Sequence, residues 1–128
     1  MGTVPPAVEA LIADKRLVAH LSTSVNDRPH SAPLWYRYAD GMIEIATTGQ
    51  KLANIKQNPK VSLSIQSATD GIPDWMVTIR GLATVIEDDE ASTAGKNRIH
   101  DIYDTPGDVY PENVLVQIDI GSVCYQTY

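Results

Sequence analysis

A chain of 128 residues is enough for one domain, which at that size buries roughly two thirds of the surface its unfolded form exposes. Its 10 Lys and Arg against 16 Asp and Glu leave a formal charge of −6. That balance argues against a nucleic-acid partner, since nonspecific affinity for a phosphate backbone comes from basic patches. The single cysteine, Cys124, excludes an intrachain disulfide framework and a multi-cysteine zinc site.

No apolar run approaches the ~20 residues of a membrane helix, and Met1–Pro6 has no charged-then-apolar leader. The expectation is a cytoplasmic protein without a membrane partner. Phe is absent, so every aromatic is a Trp or Tyr with a polar handle. Such residues suit half-wet positions at an interface or a ligand edge.

Pro5–Pro6 followed by Ala7–Ala13 predicts a short helix begun by proline. Leu17 to Ser24 alternates, with Leu17, Ala19, Leu21 and Thr23 on one side, and predicts a strand. A turn at Asn26–Pro29 leads to a second strand, His30 to Tyr38. Asp40-Gly41 is a hairpin signal, and Met42 to Thr48 is the third strand, so the three strands are expected to form a meander.

The period then changes. Gln50–Gln57 reads as a short helix with Leu52 and Ile55 on one face, ended by Asn58-Pro59. Val61, Leu63 and Ile65 mark a fourth strand, Ala68 to Pro73 a loop, and Trp75 to Glu87 a fifth strand bent or bulged at Gly81. Asp88-Asp89-Glu90 caps a helix running toward Tyr103, which Thr105-Pro106-Gly107 stops. Val114, Val116, Ile118 and Ile120 form a sixth strand that continues toward Tyr128. Residues 1–128 thus read as a single, mainly β domain. Six antiparallel strands flanked by short helices predict a closed or nearly closed barrel, because closure removes exposed edges.

The most specific local feature is the strand-to-helix corner Ala46-Thr47-Thr48-Gly49-Gln50-Lys51. Two hydroxyls arrive on a strand, glycine lets the backbone turn, and a helix begins with its free N–H groups and a lysine in the first turn. That combination suits a phosphate. From spacing alone an ordinary helix cap with a solvated Lys51 is favoured, since caps far outnumber phosphate sites. The histidines His20, His30 and His100 lack metal-ligand spacing, and no metal site is expected. Of the three, only His30 is kept as a site candidate. Cys124 reads as an inert core or interface residue. No glycine-rich dinucleotide fingerprint and no nucleophile motif is present, and no catalytic residue is identified. A phosphate corner without acid–base machinery is expected where a bound cofactor does the chemistry.

Four stretches together carry a family resemblance: Arg28-Pro29-His30-Ser31-Ala32-Pro33-Leu34-Trp35-Tyr36, then Asp40-Gly41, then Ile45–Ile55 around the corner, then Asn58-Pro59-Lys60-Val61-Ser62-Leu63. In order and spacing they resemble the pyridoxamine-phosphate-oxidase-related family, the split-barrel proteins that bind flavin or deazaflavin. The resemblance implies a six-stranded split barrel and a homodimer with the cofactor at the subunit interface. It implies that Ser31, Pro33, Leu34 and Trp35 run along the isoalloxazine edge, with Leu34 or Trp35 as main-chain donor because Pro33 has no N–H. Thr47, Thr48, Gln50 and Lys51 would take the phosphate, and Asn54 would be a packing or capping group. Trp75, Arg80, Tyr125 or Tyr128 of a second copy would close the pocket. The true pyridoxamine-phosphate oxidases end in an arginine-rich segment, whereas no arginine follows Arg98 here. The resemblance therefore implies an FMN-dependent oxidoreductase of undefined substrate rather than an oxidase of vitamin B6. The alternatives are a reductase using the deazaflavin coenzyme, or a non-enzymatic flavin carrier or sensor. A haem-degrading relative is disfavoured by the lack of a histidine-bearing C-terminal region.

Overall fold

A computed structural model describes residues 4–106 and 109–128. Helix α1 (Pro6–Ile12) carries Pro at its first turn and buries Val8 and Ile12, four residues apart, on one face. The strands are β1 (Ala19–Val25), β2 (Arg28–Leu34), β3 (Arg37–Ala39), β4 (Met42–Thr47), β5 (Lys60–Thr69), β6 (Ile72–Val85) and β7 (Val114–Thr127). Helix α2 (Gly49–Gln57) follows β4, and α3 (Asp89–Ile102) follows β6. None of the described helices is long and apolar enough to cross a membrane.

Three hairpins are closed by two-residue turns with positive φ at both positions: Asn26-Asp27 (52° and 61°), Asp40-Gly41 (52° and 77°) and Asp70-Gly71 (51° and 79°). This is the turn whose twist matches a right-handed strand pair. The third replaces the loop expected at Ala68–Pro73, because Asp70-Gly71 is itself a hairpin signal and β5 and β6 run right up to it.

All seven strands join one antiparallel sheet in the order β2-β1-β5-β6-β7-β4-β3. The expected second strand is therefore two strands, and the expected meander is absent. Its first hairpin lies at one edge of the sheet and its second at the other. The alternation Ala32, Leu34, Tyr36, Tyr38 keeps the same face inward across Trp35 and Tyr36, so the sequence period carries no sign of the jump. That jump dictates the shape. A flat seven-stranded sheet would hold its edges about 29 Å apart. Leu34 and Arg37, the facing ends of β2 and β3, lie at most about 11 Å apart along the chain. The sheet must curl until its edges meet, as a barrel with a seam that carries no ladder.

The interior is filled by Leu21, Leu63, Ile65, Ile79, Ile43, Ile45 and Ile118, all fully buried. Of these, Leu21, Leu63, Ile65 and Ile118 lie on the alternating positions expected from the sequence. Two tyrosines join the core with their hydroxyls partnered. Tyr36 donates to the carbonyl of Ile12 at 2.8 Å, and Tyr38 to Glu9 Oε2 at 2.6 Å, which fastens α1 across the barrel. The expected irregularity at Gly81 is present. Arg80 pairs with Ser122 and Gly81 with Ile120, leaving Gly121 as the extra residue of a bulge.

Helix α3 begins as expected, with Asp88 Oδ2 accepting from Ala91 N at 2.8 Å. It ends at Ile102; Thr105 and Pro106 follow, and Gly107, the third residue of the expected stop, lies outside the described residues. A buried carboxylate pins α3 to the barrel. Glu44 on β4 accepts from Arg98 Nε (3.0 Å) and a second Arg98 nitrogen (2.6 Å), from Arg37 (3.0 Å) and from Gln117 (3.1 Å). Cys124 is exposed rather than in the core, because it pairs with Thr78, which lies between the fully buried Val77 and Ile79 and so faces outward.

Candidate functional site

The strand-to-helix corner folds as its sequence reads. Thr47 is buried, Thr48 keeps an extended backbone, and Gly49 turns at φ +68° into the first turn of α2. A Cβ at Gly49 would meet nothing within 4 Å, so it is the left-handed conformation and not space that favours glycine. The first turn of α2 contains no acidic residue, and its N–H groups have no intrahelical acceptor. Lys51 is half-buried beside them and forms no ion pair among the described residues. Partial positive charge from the helix end and a full charge from the lysine thus converge.

The second component is the open edge of β2, which pairs with β1 on one side only. Proline in a strand sits where its missing N–H faces outward. Pro29 and Pro33 therefore set the parity of the edge. Ser31 shares it and presents its own N–H and C=O to the open side, whereas Leu34, of opposite parity, faces its partner Ala19. Of the two expected donors, Leu34 and Trp35, this leaves Trp35.

Edge and corner meet in a cavity of about 330 Å³. Pro33, Leu34 and Trp35 line one side, and Thr47, Thr48 and Lys51 another. Two expected site residues lie outside the lining. Ser31 is exposed further along β2. Gln50 turns back along α2 and donates to Asn54 Oδ1 at 2.6 Å, while Asn54 donates to Thr23 Oγ1 at 3.0 Å. Asn54 is buried packing, as expected, and Gln50 helps to tie α2 to β1.

The remaining wall comes from α3 and the segment after it, through Ile99, His100, Tyr110 and Asn113. Trp35 organises the aromatic end. It stacks on Tyr103 at 4.6 Å with planes 8° apart, and meets His100 (6.2 Å) and Tyr110 (6.4 Å) edge-on. Tyr103 donates its hydroxyl hydrogen to the carbonyl of Leu17 and accepts from the N–H of Tyr36 at 3.3 Å. Burial pushes its phenol pKa up, against an opposing hydrogen bond at Tyr36.

His30, the histidine favoured from the sequence, does not line the cavity, whereas His100 does. The available signal was the spacing of Ser92, Lys96 and His100, three polar residues four apart that all turn out to be buried. Trp75, Arg80, Tyr125 and Tyr128 lie elsewhere. Arg80 sits on the outer sheet face in one register row with Ser22, Ser62 and Ser122, lining a second, more open concavity of about 510 Å³. That concavity is larger but contains neither the corner nor an aromatic wall.

Residues 4–124 match the family model described as pyridoxamine 5'-phosphate oxidase. No curated protein matches the chain. Among solved structures, an F420 reductase is 25% identical, with a TM-score of 0.78, covering 94% of this chain and 98% of its own. A FAD-binding protein from Mesorhizobium loti is 19% identical, with a TM-score of 0.75 over 95% and 94% of the two chains. A haem storage protein from Vibrio cholerae is 13% identical, with a TM-score of 0.73 over 98% and 95%.

Proposed function

The chain belongs to the pyridoxamine 5'-phosphate oxidase family, and from that premise we propose that it binds FMN in the cavity between the β2 edge and the α2 corner and serves as a flavin-dependent oxidoreductase. The observation that carries this reading is the convergence in one cavity of a cationic corner, Thr47, Thr48 and Lys51, with an aromatic cluster, Trp35, His100 and Tyr110. Lys51, the two threonines and the first turn of α2 hold the phosphate. Trp35 and Tyr110 flank the ring, and the open backbone of β2 offers it hydrogen bonds. When bound, FMN supplies hydride acceptance and donation at its central ring, and the protein supplies position and polarity.

A cavity of about 330 Å³ lies at the small end of the ~300–1,000 Å³ usual for ligand sites. That supports a homodimer in which a second copy completes the pocket. Light scattering at micromolar concentration should then report about twice 14.0 kDa. A monomer that still binds flavin would refute the shared site.

The test of the phosphate end is Lys51→Ala. A charge-assisted hydrogen bond contributes about 1.5–3 kcal/mol, so FMN affinity should fall by roughly one to two orders of magnitude with the fold intact. Unchanged affinity would return Lys51 to a solvated surface role. The deazaflavin coenzyme is the second reading, supported by the 25% identity with the F420 reductase. Net charge of −6 opposes its polyanionic tail at long range, a repulsion screened within ~8 Å at physiological salt. FMN should therefore bind more tightly in side-by-side titrations at two salt concentrations; tighter deazaflavin binding at both would reverse the assignment.

A further inference from the structure

Seven non-glycine residues among those described have positive φ, and six of them are Asp or Asn, whose short polar side chains tolerate the left-handed region. The seventh is Tyr110, at φ 60°. Two local preferences oppose that conformation. A bulky side chain disfavours positive φ, and Pro111 pushes the residue before it toward extended backbone. Such a conformation persists only where the surrounding structure holds it. Here the hold comes from the turn itself and from α3. Asn113 N donates to the carbonyl of Tyr110 at 3.1 Å. Lys96, 9% exposed on α3, donates from Nζ to the carbonyls of Asn113 (2.9 Å) and Pro111 (3.4 Å). Ser92, one turn earlier, accepts from Leu115 N at 3.1 Å. Helix α3 thus grips residues 111–115, directly after the strained residue. An apolar side chain would fill the Lys96 position at less cost in desolvation, so the two carbonyls are what its ammonium serves.

Burial does not explain where the Tyr110 ring is put. It meets Trp35 edge-on at 6.4 Å and stays 51% exposed where it lines the cavity of Trp35 and Lys51. We propose that Lys96 is a positioning residue for ligand binding: by clamping the Pro111 and Asn113 carbonyls it keeps Tyr110 left-handed, its ring set as a wall for a planar aromatic ligand. The proposal rests on the FMN reading and extends it, giving recognition of the ring system to Tyr110 and the geometry of that contact to α3. A ligand plane laid against Tyr110 buries aromatic surface that the chain alone leaves in water. The strain is a cost in the empty protein, and the pre-set ring spares the ligand the cost of ordering it. Tyr110 touches the ligand, and Lys96 acts through Tyr110.

The test measures affinities for FMN and for riboflavin, which has the ring but no phosphate, together with the melting temperature of each apoprotein. The proteins are the wild type, Tyr110→Asn, Lys96→Met and the double variant. Asparagine tolerates the left-handed region and removes the ring. Tyr110→Asn should therefore raise the apo melting temperature and weaken both flavins by the same factor, roughly 3- to 10-fold. Lys96→Met keeps the side chain's length and removes the donor, and should weaken both flavins in the wild-type background. In the Tyr110→Asn background it should weaken neither any further, because its effect passes through the ring. Lys96→Gln, which removes the charge, serves the same cycle if Lys96→Met does not fold. An apo melting temperature that Tyr110→Asn does not raise, unchanged affinity in that variant, a loss confined to FMN, or additive losses in the double variant would overturn the proposal. If the wild type binds neither flavin, the FMN reading falls and the proposal with it. If the wild type binds and any of those four results appears, the proposal alone is refuted.

Discussion

Replacing Glu44 by Gln tests what holds α3, and therefore His100, against the barrel. Glu44 is 3% exposed and accepts four hydrogen bonds, three from the guanidiniums of Arg37 and Arg98 and one from Gln117. Glutamine keeps the shape but removes the charge and turns an acceptor into a donor that faces other donors. Breaking a buried pair from one side costs about 3–5 kcal/mol when the remaining charge stays buried. Here the Arg37 and Arg98 side chains are 29% and 42% exposed, so water takes back part of each charge. The expectation falls to about 2–3 kcal/mol, a drop in melting temperature of roughly 6–15 °C for a domain of this size. The pH dependence gives a second check. Burial alone raises the carboxyl's pKa, but the hydrogen bonds from Arg98 and then Gln117 outweigh it, and the net shift is downward from 4.5. A carboxylate with a lowered folded pKa contributes stability that is full above the unfolded pKa and is lost as pH falls through the folded value. Urea titrations of wild type and Glu44→Gln should show a constant gap from pH 7 to about 5 that shrinks below about 4.5. A gap under ~1 kcal/mol at neutral pH, or one that persists undiminished at pH 3, would refute the clamp.

Other substitutions probe the parts that position the site. A Cβ at Gly81 would lie 2.4 Å from the carbonyl oxygen of Asp119, a backbone atom that cannot swing away. Gly81→Ala should therefore destabilise by more than ~2 kcal/mol in urea titration or abolish folding. At Gly95 the intruding atoms belong to the Leu115 side chain, at 2.2 Å and 2.8 Å, which has other rotamers, so Gly95→Ala should cost less than Gly81→Ala in the same assay. Asp88→Ala removes the cap on α3 and should cost about 1 kcal/mol, read as a lower melting temperature with flavin affinity nearly unchanged. A cost no larger than that of an exposed neighbour would show that Asp88 is not the cap.

What the sequence disclosed follows the range of the signals involved. Period-two alternation, the Asp-Gly and Asn-Asp turns and the acidic start of α3 are local, and each produced its element within a few residues. The corner at Thr47–Lys51 was legible for the same reason, since five consecutive residues contain its whole geometry. The jump at Trp35–Tyr36 was invisible because inward-facing parity passes through it unbroken; only the pairing partners reveal it. Strand order depends on contacts such as β4 with β7, some seventy residues apart, that no short window contains. The α3 side of the cavity was missed for both reasons. His100, Tyr110 and Asn113 reach Trp35 and Lys51 only through tertiary packing, and a lone histidine on a helix has no motif to declare it.

The cavity's position follows from the seam. Placing consecutive strands at opposite edges of a curled sheet leaves a line of backbone without a ladder, and an open edge is a liability. Prolines 29 and 33 blunt it by removing N–H groups. Tyr103 brackets it, taking the N–H of Tyr36 and donating to Leu17, one on each side of the closing connection's approach to the barrel. Beyond Tyr103 the bracket stops, and two kinds of unpaired polar group face one space: the outward backbone of the β2 edge, and the first turn of α2 with Lys51. Water serves either of them alone. The aromatic surface of Trp35 and Tyr110 borders the same space, and water serves that poorly. A phosphorylated planar heterocycle would complement all of these at once, which is why the proposed ligand belongs at the seam rather than in the larger, more open concavity around Arg80.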